Sequence, residues 1–389
     1  MRKLDDLIQE LCPEGVEFVS LGECCEIEDN KRKPIKASER AKGGTPYYGA
    51  NNIQDYVEGF THDGEYVLIA EDGSSSLDNY SVQYVAGRFW ANNHVHVVKG
   101  KKALCSRFLY HYLTAFSFVP YLVGGTRAKL NKAEMVKIPV PLPPLPVQTE
   151  IIRILDSFTE LTAELTAELT ARKKQYEYYL ESIINEPSWP EMTILDMLSQ
   201  NITDGPHETP VFVEHGIPFI SVEAIYDNKI DFNKKRGFIT KEYDSVCAKK
   251  YKPQRNDVYM VKSGSTTGKV AMVDFDGDFN IWSPIAAMRV NDKNNPRFLY
   301  HLLKSKSIQT QVIKNASHGS QPNLGMRALE KFFVHVPPLG EQTRIVSILD
   351  RFDTLTTDIT TGLPAEIAAR QKQYEHYRDK LLTFKEVCA

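Results

Sequence analysis

From Val147 to Ile184 the apolar residues fall at helical spacing: Ile151, Ile154, Leu155, Phe158, Leu161, Leu165, Leu169, Tyr176, Leu180 and Ile183, with no proline among them. The spacing predicts one helix of roughly 38 residues, which at about 1.5 Å per residue spans roughly 57 Å. A rod that long with a single apolar stripe needs a partner rod. The chain supplies one, a second stripe from Glu341 to about Phe384 that carries Ile345, Leu349, Phe352 and Leu355. Gly362-Leu363-Pro364 predicts a break in this second rod, with Pro364 suited to the first turn of a new segment.

The two stripes belong to an internal repeat. Pro143-Pro144-Leu145-Pro146-Val147-Gln148-Thr149, leading into Ile151-Ile152-Arg153-Ile154-Leu155-Asp156-Ser157-Phe158, returns at an offset of 194 residues. Its second copy reads Pro337-Pro338-Leu339-Gly340-Glu341-Gln342-Thr343 and then Ile345-Val346-Ser347-Ile348-Leu349-Asp350-Arg351-Phe352. Arg172-Lys173-Lys174-Gln175-Tyr176-Glu177-Tyr178-Tyr179 returns as Arg370-Gln371-Lys372-Gln373-Tyr374-Glu375-His376-Tyr377, now offset by 198. Arg107-Phe108-Leu109-Tyr110-His111 recurs as Arg297-Phe298-Leu299-Tyr300-His301. Gly125-Thr126-Arg127-Ala128-Lys129-Leu130 recurs as Gly319-Ser320-Gln321-Pro322-Asn323-Leu324.

Between these matches lie short β-branched and aromatic runs broken by Gly, Pro, Asn and Asp, such as Tyr66-Val67-Leu68-Ile69-Ala70 and Val258-Tyr259-Met260-Val261. They predict strands. The expected class is α+β: two similar, mostly-β domains separated by two long helices that form an antiparallel coiled coil, with a pseudo-two-fold internal repeat. The expected divisions are an N-terminal helical segment 1–15 packing near the C-terminus, a domain over 16–144, a helix over 145–186, a second domain over 187–338, and a second helix over 339–386, broken near 362–364. Within the first helix Thr162-Ala163-Glu164-Leu165 is followed at once by Thr166-Ala167-Glu168-Leu169. Four residues turn a helix by about 400°, so each tetrad rotates the stripe by about 40° and adds about 6 Å. The tandem is either a unit of length or a good helix-forming filler.

Composition narrows the class. The 389 residues are 42% apolar and 25% charged, and no window approaches the roughly 18 uninterrupted apolar residues of a membrane span. Met1-Arg2-Lys3-Leu4-Asp5-Asp6-Leu7 puts acids where a signal peptide has its apolar core, so a cytoplasmic protein is expected. Six scattered cysteines form no Cys-x-x-Cys pair, which points to neither zinc nor a disulfide framework. A net charge of -3 argues against a protein that coats nucleic acid. Two basic stretches stand out, Lys31, Arg32, Lys33, Lys36, Arg40 and Lys42, then Lys234, Lys235, Arg236, Lys241, Lys249, Lys250 and Lys252. Each fits a solvated loop or a set of phosphate contacts.

Catalytic equipment is missing from the sequence. Neither Pro-Pro pair has the surroundings of a methyltransferase loop, and the histidines show no metal spacing. Ser263-Gly264-Ser265-Thr266-Thr267-Gly268-Lys269-Val270 approaches a phosphate loop, but its glycines are one residue too close and Val270 replaces the hydroxyl that would hold magnesium. Asp257 and Glu71 flank strands and read as exposed carboxylates rather than an acid–base pair. No enzyme is expected.

The Pro-Pro-Leu-x-x-Gln-Thr starts, the Ile-Leu-Asp-x-Phe cores, the Thr-Ala-Glu-Leu tetrads and the Arg-x-Lys-Gln-Tyr-Glu-x-Tyr ends together resemble the specificity subunits of type I restriction-modification systems. The resemblance runs from Val16 to Lys385. It implies that each domain reads one half of a split site on double-stranded DNA, while the helices dock two modification subunits and set the gap. It places S-adenosylmethionine on the modification subunits, and ATP and magnesium with two restriction subunits where these are present. It implies no cofactor in this chain. The DNA-contacting candidates are Gly125, Thr126, Arg127 and Lys129, then Tyr48, Asn51 and Asn52, in the first domain. In the second they are Ser265, Thr266, Lys269, Ser320, Gln321 and Asn323, with His207 and Thr209 in the loop Asp204-Gly205-Pro206-His207-Glu208-Thr209-Pro210. Arg127 has the fork to pair with guanine, and Gln321 or Asn323 with adenine. The subunit-docking candidates are Ile151, Leu155, Phe158, Leu161, Leu165, Ile345, Leu349, Phe352 and Leu355. Two rival readings are a protein–protein scaffold with no DNA role and a self-contained restriction-methylation enzyme.

Overall fold

The first long helix runs unbroken over Leu145–Ile184 in a computed structural model that describes residues 2–124, 128–184, 186–317, 321–358 and 360–387. Its start is fastened by the repeated glutamine. Gln148 Nε2 donates to the carbonyls of Pro143 and Ala103, both at 2.8 Å, while Oε1 accepts the N–H of Cys105 at 2.9 Å. Gln342 does the same for the helix Leu339–Thr357, donating to Pro337 O at 2.8 Å and Asn294 Oδ1 at 2.9 Å and accepting from Asn295 N at 2.8 Å. Both glutamines are buried with their amide groups paired, which is the condition for placing them there at all.

The second rod is interrupted. It stops at Thr357 and resumes as the helix Leu363–Leu381, with Pro364 in its first turn. Asp358 closes the gap by accepting the N–H groups of Thr360 and Thr361. A Cβ on Gly362 would lie 2.7 Å from the carbonyl oxygens of Asp358 and Thr354, so only glycine fits against that helix end.

The chain divides into two units, Met1–Glu164 with Ile367–Ala389, and Leu165–Glu366. Among the described residues the first is built on a six-stranded sheet in the order Cys25–Ile27, Val95–Gly100, His62–Ala70, Val82–Ala91, Lys42–Tyr48, Ile53–Val57. Neighbours are antiparallel except Lys42–Tyr48 on Val82–Ala91. Behind it, Val67, Ile69 and Val98 share a core with Phe108 and Leu109 of the helix Ser106–Ala115, with Val147, Ile151 and Leu155, and with Leu381 and Leu382. The helix Arg2–Leu11 adds Leu4 to that core, and Val16 N–H donates to Lys385 O at 2.9 Å, so the two chain ends meet within this unit. Phe158 stacks on Tyr377 with ring centroids 5.3 Å apart.

In the second unit the corresponding sheet is shorter, in the order Thr203–Asp204, Ile285–Met288, Val258–Val261, Val270–Met272. Val258 and Met260 pack on Phe298 and Leu299 of the helix Pro296–Lys304, on Leu180 and Ile184, and on Ile345 and Leu349. Tyr179 lies 5.7 Å from Phe352, an aromatic pair like that of the first unit. The helices Lys241–Ala248 and Lys306–Asn315 also belong here, in stretches whose strand-like texture gave no helical period.

Two expectations change. Ile151, Leu155, Ile345 and Leu349 are fully buried in the chain's own cores and present nothing to another subunit. Phe158 and Phe352 are half-buried under their tyrosines, which leaves the half-buried Leu161 and Leu165 and the exposed Leu355 as the accessible part of the stripe. The long apolar period reported helix burial within each domain, not a docking face. Asp257, expected at the surface, is 1% exposed and bonded in a bidentate pair to Arg289, with Nε and Nη2 each 2.8 Å from the carboxylate. Glu71 is half-buried and receives Arg32 at 2.7 Å.

Burial also sets two histidines. Desolvation drives the His111 imidazole down to about 4 and lowers that of His301, while the carboxylates beside them, Asp156 and Asp350, are held below their ordinary value by the histidine and arginine hydrogen bonds despite burial. A base depressed in the fold is protonated first in the unfolded chain. Its contribution is therefore complete above about pH 6.5 and is lost as pH falls toward 4. For His111 the loss is on the order of 3 kcal/mol. Melting curves between pH 7 and 4.5 should show this decline well before the carboxylates titrate, and His111→Gln should flatten it.

Candidate nucleic-acid interface

Both units carry one construction at the end of their central strands. In the second unit the strand Val258–Val261 runs into Lys262-Ser263-Gly264, where Gly264 takes a left-handed φ of 97°. Gly264 N–H donates to Pro322 O at 2.9 Å, Leu324 N–H to Lys262 O at 2.7 Å, and Ser263 bridges Asn323. Thr267 Oγ1 closes the turn on Gly264 O at 2.7 Å. Exposed Ser265, half-buried Thr266 and exposed Lys269 thus stand beside exposed Gln321 and Asn323.

The first unit repeats it. The strand His62–Ala70 runs into Glu71-Asp72-Gly73, Gly73 has a φ of 70°, Leu130 N–H donates to Glu71 O at 2.8 Å, and Asp72 bridges Lys129. Asn51 locks the turn from the side: its Nδ2 donates to Gly73 O at 2.8 Å and its Oδ1 accepts Ser75 N–H at 2.9 Å. Lys129 Nζ lies 2.9 Å from Asp72, which also meets His94 Nδ1 at 2.6 Å. These partners hold the Asp72 carboxyl below the usual range against its partial burial. Asn52 is exposed and accepts the N–H of Ile53. Tyr48 is half-buried with its ring edge-on to Phe89 at 6.0 Å, and burial raises its phenol. It reads as a wall of the strand, not as part of the turn.

His207 and Thr209 are exposed, and His207 Nε2 lies 3.7 Å from Asp204. Asp204 is fully buried, ion-paired to Lys250 and, at 3.3 Å, to Lys262, yet its Oδ2 receives no hydrogen bond. Through Lys262 the loop of His207 joins the same strand end as Ser265 and Asn323. Gly125, Thr126, Arg127 and Ser320 lie outside the described residues.

The sequence missed Ser74, Ser75 and Ser76, the counterparts of Ser265, Thr266 and Thr267. A signal existed in Gly73-Ser74-Ser75-Ser76 against Gly264-Ser265-Thr266-Thr267. It was obscured because the surrounding residues differ, with Glu71 opposite Lys262, Asp72 opposite Ser263 and Lys129 opposite Asn323. The basic stretches are also less bare than the sequence suggests. Lys31, Arg32, Lys36 and Arg40 each have a carboxylate within 4 Å, as do Lys234, Arg236, Lys250 and Lys252. Among the described residues, no three His, Cys, Asp or Glu gather to hold a metal, and no helix is long and apolar enough to cross a membrane.

One framework, carrying different polar side chains at matching positions, is the build of a protein with two copies of a reading module. A family model described as the type I restriction modification DNA specificity domain matches residues 13–172 and again 212–369. The chain is 45% identical over 383 residues to the putative type I restriction enzyme specificity subunit S.HindORF215P of Haemophilus influenzae, covering 95% of this chain and 96% of that one. It is 32% identical over 270 residues to the type I restriction enzyme EcoR124I/EcoR124II specificity subunit of Escherichia coli, covering 66% of each. The chain belongs to the type I restriction-modification DNA specificity family. Its fold is like that of the type I restriction-modification system S subunit from M. genitalium, with a TM-score of 0.61 at 14% identity, covering 95% of this chain and 96% of that one.

Proposed function

We propose that each domain reads one half of a bipartite site on double-stranded DNA, through the turns at the ends of its central strands, in a cytoplasmic complex with two modification subunits and, where present, two restriction subunits. The observation that carries this is the strand-end turn itself. It shares one backbone bond, Leu130 N–H to Glu71 O in one domain and Leu324 N–H to Lys262 O in the other, and one bridge beside it, and displays Asp72, Ser75 and Lys129 in one where the other displays Ser263, Thr266 and Asn323. Side chains that differ on one frame are what two different half-sites require. S-adenosylmethionine, ATP and magnesium belong to the partner subunits, and this chain holds none of them.

The test is DNA binding by the chain assembled with its modification partner. With about six phosphate contacts, affinity should fall roughly 10³-fold between about 50 and 200 mM salt, and sequencing of methylated DNA should return one split motif. Salt-independent binding, or methylation without a motif, would return the chain to the scaffold reading.

A further inference from the structure

The motif Arg-Phe-Leu-Tyr-His, present in both halves, grips the helices. In the first unit Arg107 Nε and His111 Nε2 meet the same oxygen of Asp156 on the long helix, at 2.9 and 2.8 Å, and His111 Nδ1 lies 3.1 Å from the hydroxyl of Tyr374 on the helix Leu363–Leu381. In the second unit Arg297 Nε and His301 Nε2 meet one oxygen of Asp350, at 2.6 and 2.7 Å, and His301 Nδ1 lies 3.0 Å from the hydroxyl of Tyr176. Each arginine also covers the tyrosine of its own motif, at 5.0 Å for Tyr110 and 4.3 Å for Tyr300.

The helices exchange parts. The long helix supplies the aspartate to the first lock and the tyrosine to the second, while the second rod supplies the tyrosine to the first and the aspartate to the second. Each histidine is therefore a buried junction of three helices that uses both ring nitrogens, Nε2–H donating to the carboxylate and Nδ1 accepting the tyrosine O–H. A buried polar network of this kind is seldom more stabilising than an apolar core of the same volume. Its recurrence, with bond lengths matching within 0.3 Å, in halves that agree poorly between their matched motifs calls for a role in geometry. Hydrogen bonds fix direction, which apolar contacts do not.

We infer that Arg107–His111–Asp156–Tyr374 and Arg297–His301–Asp350–Tyr176 are orientation locks, positioning residues that fix the angle at which each recognition domain leaves the helix pair and thereby the separation of half-sites that the protein accepts. The inference rests on the DNA-reading function proposed above. It assigns spacing fidelity to residues that touch no base.

The experiment uses the chain assembled with its modification partner, on a DNA library in which both half-sites are constant and the gap varies one base pair at a time. Tyr176→Phe and Tyr374→Phe, singly and together, remove only a hydroxyl from each lock. Methylation at the neighbouring gaps should rise roughly fivefold to tenfold per lock relative to the preferred gap, with the bases of both half-sites unchanged. Asp350→Asn should act in the same direction, and the tyrosine variants decide the matter should it fail to fold. An unchanged gap profile in the tyrosine double variant overturns the inference, as does a changed base preference. A wild-type complex that methylates no motif at all brings down the DNA-reading function first, and is told apart by that control.

Discussion

Deleting residues 166–169 should move the methylated site as a whole, from one gap to a gap shorter by about one or two base pairs. Four residues carry about 6 Å of helix, and base pairs rise about 3.4 Å. The deletion is tolerable because Thr166, Ala167 and Glu168 are exposed and Leu169 only half-buried, so neither core loses a buried residue. It falls beside the junction of the two units, between Glu164 and Leu165. The half-site bases should stay as they were. Sequencing methylated DNA from cells that express the deleted chain with its modification partner reads both quantities, and an unchanged gap would defeat the idea that the tetrads measure length.

Asp257→Ala should cost about 3 to 5 kcal/mol, the range for removing one partner of a buried ion pair. The carboxylate receives both Arg289 contacts, the Tyr251 hydroxyl at 2.6 Å and the Gln254 N–H at 2.8 Å. Without it the buried Tyr251 and Tyr259 hydroxyls, 3.0 Å apart, have only each other, and Arg289 is left with a single backbone carbonyl. At about 2 to 4 °C per kcal/mol for a unit of this size, the melting temperature should fall by roughly 10 °C. Asp257→Asn keeps the acceptor and should lose clearly less. A loss below about 1 kcal/mol for the alanine variant would mean that the pair is solvated in the native protein.

The rods, their break and the duplicated plan were legible in the sequence because each rests on a local signal. The 3.6-residue period, Gly362-Leu363-Pro364 and the matched motifs need no knowledge of the third dimension. Which residues cover which did not follow. Ile151 and Leu155 lie on a stripe that looks the same whether it faces a sheet, a sister helix or another protein, and only the fold shows that it is spent inside. Asp257 misled for the converse reason: a carboxylate before a strand is read as solvated, and the arginine that neutralises it stands 32 positions away. The strand-end turns were half legible. Asn323 was marked by its repeat position and Ser265 and Thr266 stood in the run that approaches a phosphate loop, whereas Ser74 to Ser76 needed the backbone bonds of Glu71 and Leu130 to align them. The locks were present in the sequence as motifs, but their pairing joins residues as far apart as His111 and Tyr374.

Gly362 gives the second rod a property the first lacks. A post made of two lengths can change its reach at the collar alone, because Asp358 and Gly362 finish the helix Leu339–Thr357 and the helix Leu363–Leu381 starts afresh with its own proline. If the continuous post gains or loses a turn, the residues between the two lengths are where its companion is expected to adjust, with no need for a matching insertion. Lineages of such chains should therefore vary freely in the count of tetrads on one side while the other side keeps its two lengths and alters only the few residues between them.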